Sequence, residues 1–373
     1  MSTSHPALET NPAIIESVSE LWGLPLQPAG CPVCGVVHLV PANRLGQACP
    51  NCARGRLTPQ PAMLRPEPPE KIVLPSIGNK DLQTVLLNFT KGVWLAPDDF
   101  NVNDLVRRSV AVYWPMWLVD ADLQGAWKAE MGYDYQVKSS QESFRNGDWN
   151  TREVVENRIR WEPRLGQLDR HYDNVSAPAM SHHDKLWRLL GSYDLSRSKP
   201  YEPDKLGQAI LRVPDLLPDN AWPIARQALD RAAGEDCMRA SEAQHVRDYT
   251  IQASYEKPVF TQMLLPMYLT YYTNDAGEPQ MVAVNAQTGK VGGVRLASQR
   301  KGWRLAGILA GSAALLFILT ILSFLLVPVF PPGAIIGALL GVLAFGLAIA
   351  ALFPAVWPWQ WNRKQQAGKV ILG

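Results

Sequence analysis

Cys31-Pro-Val-Cys34 and Cys49-Pro-Asn-Cys52 are two CxxC pairs separated by 14 residues. Each pair turns tightly enough to aim two sulfurs at one point, and four soft thiolates in a tetrahedron suit zinc. Four protein ligands leave no open coordination position, so Zn(2+) held by Cys31, Cys34, Cys49 and Cys52 would be structural and not catalytic. His38 lies between the pairs as a further donor, although four ligands are already present. Two other readings are weighed against zinc. Paired disulfides are disfavoured in a cytosolic segment. A thioredoxin-like redox pair needs a βαβ context that the flanking sequence lacks. Binding one zinc would supply most of the folding energy of so small a module, on the order of 10–16 kcal/mol.

The remaining chemistry-bearing residues point away from catalysis. Asp120 and Asp122 lie two apart in a strand-like run, on one face, where a metal–nucleotide could sit; a solvated strand face is the simpler reading. His182 and His183 are adjacent, so on a helix their side chains diverge by about 100° and make poor co-ligands. Cys237 is a lone thiol in a helical stretch, read as a small buried apolar residue. Gly289-Lys290 is the nearest approach to a phosphate-binding loop, but Val284 stands where the first glycine belongs and Val291 replaces Ser/Thr. No Ser-His-Asp order and no G-x-S-x-G elbow occurs. The expectation is a protein that is not an enzyme.

These residues must be held by a recognisable series of segments. Residues 1–26 form an N-terminal segment with a short amphipathic helix starting at Asn11-Pro12, with Ile14, Ile15, Val18, Leu21 and Trp22 on one face. Residues 27–58 read as a zinc ribbon, with a small β-hairpin between the cysteine pairs. Residues 59–70 form a Pro-rich linker. Residues 71–298 read as an α+β cytoplasmic domain. Its helices are expected at Asp81–Phe89, Ser181–Leu190, Pro203–Leu211 and Asp219–Ala243. The last is capped by Asp219 or Asn220, has Pro223 in its first turn, and packs through Ile224, Ala228, Leu229 and Ala232. Strands are expected at Val110–Trp127, Glu153–Trp161, His245–Tyr255, Thr261–Tyr272, Gln280–Asn285 and Val291–Leu296. Asn274-Asp-Ala-Gly277 and Ala286-Gln-Thr-Gly289 supply turn chemistry.

Residues 299–362 carry a two-helix transmembrane hairpin. Leu305–Val327 is uncharged over 23 residues, roughly 34 Å of helix against a hydrocarbon core of about 30 Å. Pro328-Val-Phe-Pro-Pro332 breaks it, and the uncharged run Gly333–Phe353 returns. Arg295, Arg300, Lys301 and Arg304 precede the hairpin, Arg363, Lys364 and Lys369 follow it, and the loop carries no Lys or Arg. Positive-inside logic therefore places the N-terminal domain and the 363–373 tail in the cytoplasm of a cell-membrane, multi-pass protein. Trp303, Trp357, Trp359 and Trp361 stand at the boundaries, where amphipathic rings favour the headgroup layer. The first dozen residues carry no basic region and apolar core of the kind a secretory signal needs. Gly333, Gly337 and Gly341, and Ala306, Ala310 and Ala314, recur every fourth residue. Such faces serve either packing of the hairpin on itself or formation of a homo-oligomer.

The order of segments resembles a family of bacterial zinc-ribbon membrane proteins often labelled primosomal protein N′-like or helicase-like. The likeness runs from Cys31 onward. It rests on the paired CxxC motifs, Tyr113-Trp-Pro-Met-Trp-Leu-Val-Asp120, Arg160-Trp161, Tyr172-Asp-Asn-Val175, Tyr193-Asp-Leu195 with Pro200-Tyr201, Leu264-Leu-Pro-Met-Tyr-Leu269 and Val284-Asn-Ala-Gln-Thr-Gly-Lys-Val-Gly292. Tyr268 stands where Trp or Phe is expected, and Ala286 where Gly is expected. The resemblance implies a membrane-tethered partner of phage-shock protein A or SPFH/flotillin-like proteins, in envelope-stress or SPFH assemblies, without established enzymatic activity. From the residues, a scaffold or adaptor that holds protein partners at the bilayer is the leading expectation. The alternative is a nucleic-acid-binding zinc-ribbon protein related to replication restart. Against it, the net charge is only +2, and Gly30–Thr58 holds three Arg, no Lys and no aromatic ring for base stacking.

Overall fold

A computed structural model of the chain describes residues 18–60, 67–145 and 147–365. Its elements begin with a short helical stretch at 18–22, then β1 (Leu26–Gly30), β2 (Val37–Pro41), β3 (Thr58–Pro59) and β4 (Lys71–Ile72). Next come α1 (Asn79–Thr90), α2 (Val102–Arg107), β5 (Val110–Arg145), β6 (Asp148–Pro178), α3 (His183–Leu190), β7 (Lys199–Pro200) and β8 (Ile210–Arg212). The chain continues through α4 (Pro218–Ala240), β9 (His245–Thr273), β10 (Pro279–Asn285), β11 (Val291–Gly293), α5 (Gln299–Leu325) and α6 (Gly333–Gln365). The protein is thus mixed α and β, with a cysteine cluster near one end and two long apolar helices near the other. It divides into two compact units. One is Met1–Trp114, His182–Val213 and Leu264–Gly373; the other is Pro115–Ser181 and Pro214–Met263.

In the first unit β1 and β2 pair antiparallel, with Leu26 opposite Pro41 and Gly30 opposite Val37, and β3 closes on the other edge of β1. The hairpin therefore wraps the first cysteine pair, where the sequence suggested one between the pairs. The reason is polarity: Leu26, Ala29, Leu39 and Val40 are the residues that become buried, whereas the stretch between the pairs also carries Asn43, Arg44 and Gln47. β2 pairs in turn with β8, His38 opposite Arg212. Gln60 donates its backbone N–H to Pro28 at 3.1 Å. Of the 59–70 linker, residues 61–66 lie outside the described residues, as do Asn11, Pro12, Ile14 and Ile15 of the expected first helix. From that helix Val18 and Trp22 are buried beside Leu26 and Leu39, while Leu21 is exposed. The Pro203–Leu211 stretch is not a helix. One 3-10 turn at Pro203–Lys205 is followed by Gly207 in the left-handed region and by β8, because Ile210 and Leu211 gain strand partners on β5 and β2. Tertiary pairing here overrides local helical preference.

The β9–β10–β11 meander is as expected, Val284 facing Tyr268 on one side and Val291 on the other. At its last turn Asn285 Oδ1 accepts the N–H groups of Gln287 and Thr288 at 2.9 and 3.0 Å, and Gly289 has φ +80°. That is an Asx-type turn, which is what occupies the place of the phosphate-loop candidate.

In the second unit β5 and β6 form one antiparallel hairpin from Met116–Pro178 to Arg145–Asp148. The sequence suggested shorter strands; the actual spans are 36 and 31 residues. Charged residues interrupt the apolar pattern but not the ladder, because only one face of the sheet is covered. α4 covers it with Ala221, Ala225, Leu229, Ala233 and Cys237, every fourth residue, against Trp117, Val119, Ala121, Leu123, Ala129 and Met131. The helix starts at Pro218 after Leu217, so Asp219 and Asn220 do not cap it. Pro223 falls in its second turn, and Ile224 faces solvent. His245–Tyr255 and Thr261–Tyr272 are likewise parts of one strand, β9, which stays continuous through Lys257 at φ +49°.

α5 and α6 are each long and apolar enough to cross a membrane. They pack antiparallel along Gly302, Ala306, Ala313 and Thr320 on one side and Gly333, Gly337, Ala344, Ala351, Pro354 and Pro358 on the other. The spacing follows a heptad. A Cβ on Gly333 would lie 2.8 Å from the Ser323 carbonyl, and one on Gly337 3.1 Å from the Phe324 ring. The glycine stripe is therefore spent on the hairpin itself. Ala306 shares the seam but Ala314 is exposed, since a strict four-residue repeat drifts off any 3.5–3.6-residue face. α6 also runs past Phe353, through Pro354 and Pro358, both buried against Gly302.

Candidate metal centre

The two cysteine turns are built alike. Cys31 N–H donates to Val36 O and Cys31 O accepts from Gly35 N–H; Cys49 N–H donates to Gly55 O and Cys49 O accepts from Ala53 N–H. Each needs one residue in the left-handed region, Gly35 at φ +70° in the first and Ala53 at φ +53° in the second. Gly55 is fixed by space, since a Cβ there would lie 2.5 Å from Cys31 Sγ. The four sulfurs lie within 4.8 Å of one another, with Cys31–Cys52 at 3.7 Å and Cys34–Cys49 at 3.8 Å. Cys31 and Cys49 are buried, Cys34 and Cys52 partly so. Such a cluster can hold a metal ion.

Donors converge on the sulfurs. The backbone N–H of Val36 serves Cys34, those of Asn51 and Cys52 serve Cys49, and those of Arg54 and Gly55 serve Cys52. Cys34 is held down to about 4, first by the Cys49 thiol that donates to it and then by Val36 and Asn51, against the pull of burial. Cys49 is pushed up by giving that hydrogen bond and by burial, and Cys52 is pushed up by burial. The arrangement favours one thiolate, at Cys34, beside thiols at Cys49 and Cys52 that hold their protons, so a metal taking all four sulfurs displaces those protons.

Two further residues complete the site, one inside the second motif and one far from it. Asn51 donates to Cys34 Sγ at 3.6 Å, and Arg212 donates to Asn51 Oδ1 at 3.1 Å. Arg212 is 5% exposed, so a buried cation stands one hydrogen-bonded step from the thiolates. Asn51 was visible in the motif as its last variable position. Arg212 gave no signal, lying 161 residues away.

The other candidates fall elsewhere. His38 is not in the sulfur cluster. It is buried, both ring nitrogens lack a partner, and burial followed by Arg212 brings it down to about 3. Asp120 accepts the Asn174 N–H at 2.5 Å beside the β5 bulge. Asp122 pairs with His171 at 2.6 Å, whose other nitrogen meets Asp173 at 2.9 Å. Asp120 and Asp122 are thus taken up by separate partners, a main-chain N–H and the His171 ring. His182 precedes α3, while His183 stacks on Trp187 at 5.7 Å and packs near Trp114, so the two do not converge. Cys237 is buried among Ala129, Met131 and Tyr249.

No family model, no curated protein and no solved structure matches the chain.

Proposed function

We propose that the chain is a membrane-anchored, zinc-binding scaffold that holds protein partners at the cytoplasmic face of the bilayer. The observation that carries this reading is the junction, within the first unit, between its apolar helices and the segments before them. Ser298 caps α5 by accepting the Lys301 N–H at 3.0 Å. Lys301 Nζ reaches Ala96 O at 2.7 Å and Asp98 at 2.6 Å. Trp361 Nε1 donates to Arg295 O at 2.5 Å. Trp94 lies against Phe353 and Trp357 at 5.4 and 5.3 Å. Whatever docks on this unit would be kept within reach of the bilayer, where tethering raises effective concentration.

Zinc is the preferred ion because four thiolates with inward N–H donors suit a closed tetrahedral site. Such a site stabilises a fold and leaves no coordination position for substrate. The family resemblance supports phage-shock protein A or SPFH/flotillin-like partners, and the charge flanking the helices supports both termini in the cytoplasm.

Reporter fusions at Met1, Val329 and Gly373 test the orientation, with activity expected outside only at Val329. Affinity capture of the full-length chain from membranes, read by mass spectrometry, should return a stoichiometric protein partner. The purified protein should neither hydrolyse ATP nor retain single-stranded DNA at roughly physiological salt, where non-specific phosphate contacts are weak. DNA-stimulated ATP hydrolysis would overturn the scaffold reading in favour of a replication-related one.

A further inference from the structure

β9 begins at His245, beside Gly132 and Asp134: Gln244 N–H donates to Gly132 O at 3.0 Å, and His245 Nε2 meets Asp134 at 2.8 Å. Beyond that point residues 135–145 of β5 and 148–158 of β6 have only each other as strand neighbours among the described residues. Eleven residues per arm make a two-stranded ribbon about 37 Å long. Phe144 and Trp149 at its tip are 59% and 68% exposed, and Val155 on β6 is 58% exposed. A ribbon of two strands alone is marginal in water. The outer edge of β6 pairs with nothing among the described residues. Neither bulge nor proline protects it: the β5–β6 ladder has its irregularity at Val119/Ala121, and the first proline along β6 is Pro163.

We propose that this edge pairs antiparallel with the same edge of a second copy of the chain. Charge along the strand selects the partner. About a two-fold axis, facing residue numbers sum to a constant, so a strand can be tested against itself. With Val154 opposite its own copy, Arg152 faces Glu156, Asp148 faces Arg160, and Trp149 faces Ile159. With Asn157 opposite its own copy, Arg152 faces Glu162, Glu156 faces Arg158, and Val155 faces Ile159. Neither register opposes like charges. The two registers between them do: one sets Arg152 against Arg158, the other Glu156 against itself. Opposite charges across a ladder stabilise it and like charges destabilise it. An edge charged only to repel strands would not be self-complementary. The existing pairs Arg158–Glu156 at 2.9 Å and Arg160–Glu162 at 3.0 Å are exposed and exchange partners at little cost. Pairing would turn two marginal ribbons into one four-stranded sheet. This contact is independent of the apolar helices and of the zinc.

The test is the molar mass of the full-length chain in detergent, by sedimentation with the detergent contribution removed. A dimer is expected. Arg152→Glu, an exposed change that should leave circular dichroism unaltered, places like charges across the two-fold twice and should raise the dimer dissociation constant about tenfold or more. Adding Glu156→Arg should restore the dimer if Val154 lies on the axis; adding Glu162→Arg should restore it if Asn157 does. A monomer at tens of micromolar overturns the proposal. So does a dimer indifferent to Arg152→Glu, or one weakened by it and rescued by neither reversal.

Discussion

Asn362 and Ala297 hold each other by two hydrogen bonds, the Ala297 N–H reaching Asn362 Oδ1 at 2.8 Å and the Asn362 amide reaching Ala297 O at 2.9 Å. A side chain on the second long helix thereby completes the backbone pairing of the segment that leads into the first. Removing it leaves both main-chain groups partly buried without partners, at about 1–3 kcal/mol. Asn362→Leu should speed amide hydrogen exchange at Ala297 and Ser298 by at least tenfold, with β9 and β10 unchanged. Unaltered exchange at Ala297 would show that the pair does not fix the junction.

Purified protein should contain one equivalent of zinc by elemental analysis. Cys31→Ser combined with Cys34→Ser should abolish it and destabilise the ribbon, while the protein still fractionates with membranes. Metal content unchanged by the double substitution would remove the four-sulfur assignment.

At the equivalent left-handed position the two cysteine turns carry different residues, Gly35 in the first and Ala53 in the second, both with positive φ. Alanine in the left-handed region costs about 1 kcal/mol relative to glycine. Ala53→Gly should therefore raise the stability of the zinc-loaded ribbon by roughly that amount, and Gly35→Ala should lower it similarly. Chelator-induced loss of zinc gives the readout: slower in the first variant, faster in the second.

His38 supplies a pH dependence with a definite sign. Its folded value of about 3 lies below the ordinary 6.5, chiefly through burial and then through Arg212. The unfolded chain therefore takes up this proton first. The stability is fully present above 6.5 and declines as pH falls from there toward 3, at up to about 1.4 kcal/mol per pH unit. His38→Leu should remove that slope. It should also gain about 1 kcal/mol at pH 7 by deleting two unpartnered buried nitrogens. Denaturant titrations of both proteins between pH 7 and 5 decide it, with zinc content checked at each point; parallel curves would contradict the assignment.

What the sequence made legible was local. The paired CxxC turns, the Asn274–Gly277 and Ala286–Gly289 turns, α1 and the two apolar helices each follow from residues close together in the chain. Arg212 was not legible, because its place beside Asn51 depends on β8 meeting β2. The same pairing turned an apparent helix at 203–211 into a strand. The full lengths of β5 and β6 were hidden for another reason: a sheet open on one face tolerates Lys128, Glu130, Arg158 and Arg160 without a break, whereas an apolar pattern search stops at them. The four-residue glycine stripe is a close-packing surface as expected, whereas of the three alanines only Ala306 joins the seam. The stripe's use inside the hairpin became visible only once Gly333 and Gly337 were seen against Ser323 and Phe324.

If α6 crosses a bilayer as proposed, its prolines act as a depth gauge. Pro354 and Pro358 bring no N–H, so the carbonyls of Ala350 and Pro354 have no donor one turn on. In hydrocarbon each unmet carbonyl costs several kcal/mol, whereas in the headgroup layer water meets it. On the proposed membrane-spanning reading, the oily layer would end near Ala350, where the first of these carbonyls lies. From Gly333 to Ala350 the helix rises about 27 Å, close to the thickness of a bilayer core at about 30 Å. On that reading two missing hydrogens set the immersion, and Pro354→Ala with Pro358→Ala should let the helix ride deeper in thicker membranes.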